Sequence, residues 1–205
     1  MHELLLLNAS PRDTSVGLRL AREMVSHLSR HHPQARVSQR DLIAAPLLPL
    51  TADYATALTR PTPAHDAVFS QSEQLVRELE NSAALVIATP MHNFTVPAAL
   101  KLWIDNVVRI GRTFDARPTG KVGLLATRPV YVVVSSGGFH RGPNARQPDF
   151  LTDYLSHVLQ TIGLGDTHFV YLQGLVQGQD AVAAAYTQAR RELGRHAPFA
   201  EWSRT

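Results

Sequence analysis

The sequence predicts a doubly wound α/β domain: a parallel sheet of five strands with helices on both faces. Three observations predict it. Short apolar runs alternate along the chain with segments of helical period. Those runs are continuous rather than alternating, as in strands covered on both faces. The intervening segments are long enough for right-handed helical crossovers, and neither an internal repeat nor an interdomain linker interrupts residues 1–205. One domain of this length buries a full core.

The elements follow in order. Leu4 to Leu7 is a run of four leucines preceded by an acid, which reads as a first strand and not as a signal peptide. From Ser15 to about His31 the residues Val16, Leu20, Met24 and Leu28 recur every four positions and define one helix face. Ala35 to Asp41 is the second strand. Residues 42–63 carry four prolines and little periodicity, so a long loop is expected there. Residues 64–81 form the next helix and 83–89 the third strand. A helix runs from Pro97 to about Gly111, with Leu100, Ile104, Val107 and Val108 inward. Residues 112–129, rich in Gly, Pro and Thr, make an excursion before the strand at 130–134. A helix from about Pro148 to Ile162, a strand from His168 to Leu172 and a last helix from about Asp180 to Arg195 complete the chain.

Composition excludes several classes of function. There is no cysteine, so disulfides, thiol catalysis and Cys-ligated metals are out. His31 and His32 are adjacent and project in different directions, so no metal site is expected. The net charge is +3, from 20 basic and 17 acidic residues, and the arginines are scattered. A nucleic-acid binder needs a basic stripe with interleaved aromatics, and none appears. No apolar stretch is long enough to span a membrane. A cytoplasmic enzyme is the simplest expectation, and the mild positive balance favours anionic small molecules.

Ligands of open α/β sheets bind at the carboxyl ends of the strands, and three loops there have distinct chemistry. The first, Asn8 to Gly17, offers hydroxyls and a helix N-terminus, both suited to a phosphate monoester; Ser15 serves equally as a plain N-cap. It is neither a Walker A motif nor a dinucleotide fingerprint. The second, Thr89-Pro90-Met91-His92-Asn93-Phe94-Thr95-Val96-Pro97, is too bulky to cradle a bare phosphate. It suits the wall of a flat aromatic ligand, or is an ordinary strand-to-helix loop with proline opening the helix. The third, Ser135-Ser136-Gly137-Gly138, allows a close backbone approach and is followed by His140. A Ser/His/Asp hydrolase is disfavoured because the nucleophile-elbow pattern G-x-S-x-G is missing.

Taken together, the Ser-rich first loop, the Pro-Met-His-Asn-Phe loop running into Val-Pro-x-x-Leu-Lys-x-x-Ile-Asp, Gly-Arg-Thr-Phe at 111–114 and Ser-Ser-Gly-Gly-Phe-His at 135–140 resemble the FMN-dependent NADH:quinone oxidoreductases called azoreductases. The resemblance covers nearly the whole chain. It implies a flavodoxin-like fold, a homodimer with FMN at its interface, NADH or NADPH as electron donor, and quinones or azo compounds as acceptors. It places the FMN phosphate at Ser10, Ser15, Val16 and Gly17. Met91, His92, Asn93 and Phe94 would line the isoalloxazine ring, and Ser135, Ser136, Gly137 and Gly138 would meet its pyrimidine end. Asn93, near flavin N5, and His140 are the candidate catalytic residues. The chain departs from the family at position 92, commonly Tyr; at 17, often Ser; and at 136, often Arg. A flavodoxin-like electron carrier without a substrate of its own is the rival, although carriers are usually acidic.

Overall fold

The computed structural model describes residues 3–204, with side chains through Trp202. Five parallel strands form the sheet: β1 (Glu3–Asn8), β2 (Arg36–Asp41), β3 (Ser82–Pro90), β6 (Val130–Ser135) and β7 (Thr167–Leu172). Their order is β2-β1-β3-β6-β7, so the winding reverses between β1 and β3. Register is continuous across the centre, with Leu7 opposite Ile87 and Ile87 opposite Val132. The carboxyl ends of β1, β3 and β6 therefore lie side by side, and the three candidate loops leave the sheet at one edge.

Period-2 geometry sends alternate side chains to opposite faces. Leu5 and Leu7 join Leu85, Ile87, Val132 and Val134 under α3 (Ser70–Asn81), α4 (Ala98–Val107) and α5 (Thr152–Thr161). Leu4 and Leu6 join Val86, Ala88 and Val133 under α1 (Val16–His31) and α6 (Gln179–Leu193). Both faces of the central strands are thus dry, as their unbroken apolar runs require. The edge strand β2 is largely exposed and correspondingly polar.

Four segments differ from the sequence-based expectation. Residues 42–63 are not wholly loop: α2 (Ala52–Leu58) forms there, with the Thr51 hydroxyl capping Tyr54 N–H at 3.2 Å. The helix expected from 64 starts at Ser70, after a 3₁₀ turn at Ala67–Phe69 capped by Asp66. The excursion at 112–129 contains an antiparallel hairpin, β4 (Phe114–Arg117) with β5 (Gly120–Gly123). Finally, α5 begins at Thr152 and not Pro148; Asp149 accepts from the N–H groups of Leu151 and Thr152 at 3.0 and 2.9 Å, which fixes that start. Among the described residues no helix is long and apolar enough to cross a membrane.

Candidate functional site

The loop after β1 is stiffened before any ligand arrives. The Asn8 side chain donates to Asp41 at 2.9 Å and accepts from Ser10 N–H at 2.9 Å, so the end of β2 holds the start of the loop. Ser15 Oγ accepts from Leu18 N–H at 3.3 Å and caps α1. The N–H groups of Val16 and Gly17, in the first turn, have no intrahelical acceptor and point the helix's positive end outward. Gly17 packs on the third loop: a Cβ there would sit 3.3 Å from Ser135 Cβ and Oγ. Its small size lets the first and third loops approach closely.

The loop after β3 turns back on itself. His92 N–H donates to Thr95 C=O at 2.9 Å and Thr95 N–H to His92 C=O at 3.0 Å. Asn93 and Phe94 form the tip with φ of 46° and 72°. Consecutive left-handed residues define a turn that favours Asn-Gly, and Phe94 occupies the position where glycine would be unstrained. Phe94 is nevertheless exposed, so packing does not explain it. Such strain is characteristic of functional loops. We expect Phe94→Gly to stabilise the ligand-free protein by about 1 kcal/mol, raising its melting midpoint by roughly 2–4 °C while removing the aromatic side chain from the site. A lower midpoint in a thermal melt would show that the Phe94 side chain stabilises the fold by more than its backbone costs.

The loop after β6 carries a connected polar cluster. Ser136 Oγ lies 2.8 Å from Gly138 C=O and 3.1 Å from His140 Nδ1. Gln173 Oε1 accepts from the backbone N–H groups of His140 and Arg141 at 2.8 and 2.9 Å, pinning the loop to the end of β7. His140 is 5% exposed and its Nε2 has no hydrogen-bond partner. Burial pushes its pKa below the ordinary histidine value; nearby Asp149 opposes this and Arg141 reinforces it. The ring is therefore neutral near pH 7.

These loops meet in a cleft of about 330 Å³ lined by Ser10, Ser15, Val16, Met91, His92, Ser135, Ser136 and Gly137. Of the other expected residues, Gly17 and His140 are buried behind its wall, Asn93 and Phe94 form the exposed turn beside it, and Gly138 adjoins Gln147. Thr14, one of the first-loop hydroxyls, also lines the cleft; sequence reasoning missed Arg12 there, and Leu175, Val176 and Val182. Leu175 and Val176 belong to a fourth strand-end loop, after β7, and Val182 to the first turn of α6. Leu175 N–H donates to Ser136 C=O at 3.2 Å, and Gly174 and Gly178 have positive φ. The Gly-Leu-Val-Gln-Gly run at 174–178 was the available signal. Larger clefts exist, one of about 590 Å³ between residues 139–144 and α6 and one of about 550 Å³ between Asp13, Thr14, Ser15 and α1, but neither is lined by residues of all three loops.

The chemistry of the smaller cleft is lopsided. Its lining includes one arginine and no carboxylate; Ser10, Thr14, Ser15, Ser135 and Ser136 bring hydroxyls to it, and Met91, Leu175, Val176 and Val182 bring apolar surface. The backbone N–H groups of Asn93, Phe94, Gly137 and Gly138 donate to no acceptor among the described residues. Such a site suits a ligand with an anionic end and a flat, apolar body edged by hydrogen-bond acceptors. A phosphorylated isoalloxazine has those parts, and the free N–H groups fit it.

Comparison with known proteins agrees with this geometry. A family described by its flavodoxin-like fold matches residues 2–197. FMN-dependent NADH:quinone oxidoreductase 4 of Pseudomonas fluorescens is 61% identical over 194 residues, 94% of each chain. FMN-dependent NADH:quinone oxidoreductase 5 of Burkholderia lata is 53% identical over 189 residues, 92% of this chain and 93% of that one. An azoreductase from Bacillus anthracis shares the fold with a TM-score of 0.80 at 22% identity, covering 95% of this chain and 98% of its own. The chain belongs to the flavodoxin-like family and, within it, to the group of the FMN-dependent NADH:quinone oxidoreductases.

Proposed function

We propose that this protein is an FMN-dependent NAD(P)H oxidoreductase that reduces quinones and azo compounds by two electrons. The observation that carries the reading is the convergence of the three loops on one carboxylate-free cleft whose hydroxyls, with the unbonded N–H groups of the same loops, suit a flavin mononucleotide. Relatives at 61% and 53% identity bear the corresponding name. When bound, FMN supplies hydride acceptance and donation; the protein binds, orients and polarises it.

Ser10, Ser15 and the N–H groups of Val16 and Gly17 hold the phosphate, with Arg12 adding charge. Met91, His92 and Phe94 shape the ring surface. The N–H groups of Gly137 and Gly138 stabilise negative charge at the pyrimidine end, and Asn93 N–H serves the central nitrogen edge. Donor and acceptor use one cavity in turn, which makes the mechanism ping-pong. Initial rates against NADH at several benzoquinone concentrations should give parallel double-reciprocal lines; intersecting lines would reject a shared cavity. Because NADH is an intracellular reductant, we place the enzyme in the cytoplasm.

The active form is a homodimer in this reading. Ile43, Leu48 and Leu50 in the segment before α2 are exposed, as are Phe94 and Phe150 beside the cleft, and such a set favours a partner subunit. Light scattering should give twice the chain mass at micromolar concentration; a fully active monomer would refute it. The electron-carrier alternative predicts no direct bleaching by NADH.

A further inference from the structure

We infer that His92 is the acid that delivers a proton to the electron acceptor, and that azo compounds depend on it far more than quinones do. The inference rests on the FMN reading and extends it to a side chain of this protein's own. Two-electron reduction of either acceptor needs a proton as well as a hydride. Among the side chains lining the cleft, Arg12 cannot release one, because a guanidinium in a protein stays protonated. The serine and threonine hydroxyls are far too weakly acidic, and no aspartate, glutamate, lysine, tyrosine or cysteine is among the lining residues. His92 is what remains, and histidine is the side-chain type that exchanges a proton near neutral pH.

Its placement suits the task. The N–H and C=O of His92 are both engaged with Thr95, at 2.9 and 3.0 Å. What the residue brings to the cleft is therefore its imidazole. Among the described residues that ring has no hydrogen-bond or ion-pair partner. The residue is exposed, so water can recharge it, and it stands between Met91 and the strained turn at Asn93 and Phe94. Arg12, from the loop after β1, carries the other charge among the lining residues.

The two acceptor classes need the proton to different degrees. When bound, FMN supplies the hydride. A quinone that takes a hydride on one oxygen leaves the other as a phenolate, a stable anion that water can protonate afterwards. An azo compound forms one N–H bond with the hydride, and the electron pair of the broken N=N π bond collects on the second nitrogen. That anion is strongly basic, so the proton must arrive as the π bond breaks. Protonated His92 gives it, forming the second N–H bond of a hydrazine, and the neutral imidazole then takes a new proton from water. Tyrosine, common in the family at position 92, is a much weaker acid, so the histidine ties azo reduction to the pH range around neutrality.

Stopped flow on the FMN-loaded, NADH-reduced protein tests this, with recolouring by methyl red and by benzoquinone followed separately. His92→Phe should slow the azo reaction about 100-fold and the quinone reaction less than about tenfold, the quinone serving as the control for general damage to the site. His92→Gln, polar but no acid, should behave like His92→Phe. The wild-type azo rate should fall as the pH rises from 6 to 8.5, and imidazole in the buffer should restore much of the rate lost in His92→Ala. Equal losses with both acceptors, or an azo rate indifferent to His92, would overturn the inference. A second readout needs no turnover. The anion 2,4-dinitrophenolate stays ionised across this pH range, and the wild-type protein should bind it roughly tenfold more tightly at pH 6, where an imidazolium faces it, than at pH 8.5. In His92→Phe the affinity should be level with pH. Level affinity in both proteins would show that the ring points away from the cleft and would overturn the assignment too. If FMN itself does not bind, the flavin reading fails and takes the proton-donor role with it, while the dinitrophenolate titration still shows whether His92 faces the cleft.

Discussion

Replacing Glu73 by Ala is expected to destabilise the fold by about 3–5 kcal/mol, because it leaves a buried guanidinium without its counter-ion. Arg109 is 2% exposed and donates to Glu73 at 2.7 Å, to Ser72 Oγ at 3.1 Å, and stacks over Phe69 at 4.7 Å from its centroid. Arg112 adds contacts to Glu73 at 2.9 and 3.0 Å and reaches Glu80 as well. Together these clamp α3 to the chain just beyond α4, the helix that emerges from the ring-binding loop. The same cluster predicts acid sensitivity. Hydrogen bonds and charge from Arg112 first, then Arg109, outweigh burial and hold the Glu73 carboxyl at about 2, below the ordinary 4.5. Its folded pKa is depressed, so its contribution is complete above about pH 4.5 and is lost as the pH falls toward 2. The side chain is only 15% exposed, and the shift corresponds to at most about 3 kcal/mol. Urea unfolding at pH 7 and pH 3 checks both parts: Glu73→Ala should reduce the stability difference between the two, the remainder belonging to Asp41, Glu80 and Asp149, whose carboxyls are also held below their ordinary range. A loss below about 1 kcal/mol at pH 7 would show that Arg109 finds other partners or water.

The largest functional effect belongs to the first loop. Ser10→Ala with Ser15→Ala should weaken FMN by about 100-fold, near 3 kcal/mol for two charge-assisted hydrogen bonds, and leave riboflavin almost unchanged. Ser15 also caps α1, so the double variant should lose about 1 kcal/mol of stability as well. Fluorescence titration of both ligands separates the effects, because the capping loss acts equally on each. Equal weakening of FMN and riboflavin would move the phosphate away from this loop.

The legibility of each element in the sequence followed its burial. Leu4 to Leu7 and Val130 to Val134 announce themselves because both faces of the central strands are dry, and α1 does so because sixteen residues give its period room to repeat. The helix α2 has seven residues and a single buried one, Tyr54, so there is no periodicity to detect; its sign was the cap at Thr51 and the proline beyond its end. The hairpin at 114–123 was hidden for a similar reason, being two four-residue strands with a single buried residue, Phe114. At the site, the rule that ligands meet the carboxyl ends of strands identified three loops, while the fourth brings only the apolar Leu175 and Val176 to the cleft and so draws less notice. The strained turn was not legible either. Asn93-Phe94 lacks the glycine that marks its type, and a backbone held against preference is visible only in its φ angles. Nor does any spacing rule show that Ser136 and His140 touch, since that contact depends on the loop's path over Gly138.

The central claim is that one cleft, built by the loops after β1, β3 and β6, holds FMN through its phosphate and its pyrimidine edge. Titrating FMN and riboflavin into the FMN-free protein, followed by fluorescence quenching and visible absorption, tests this most directly. The account predicts saturable binding of FMN at one site per chain, a yellow complex bleached by NADH under anaerobic conditions, and riboflavin binding weaker by the phosphate contribution. A protein that quenches neither flavin, or that binds riboflavin as tightly as FMN, would contradict it.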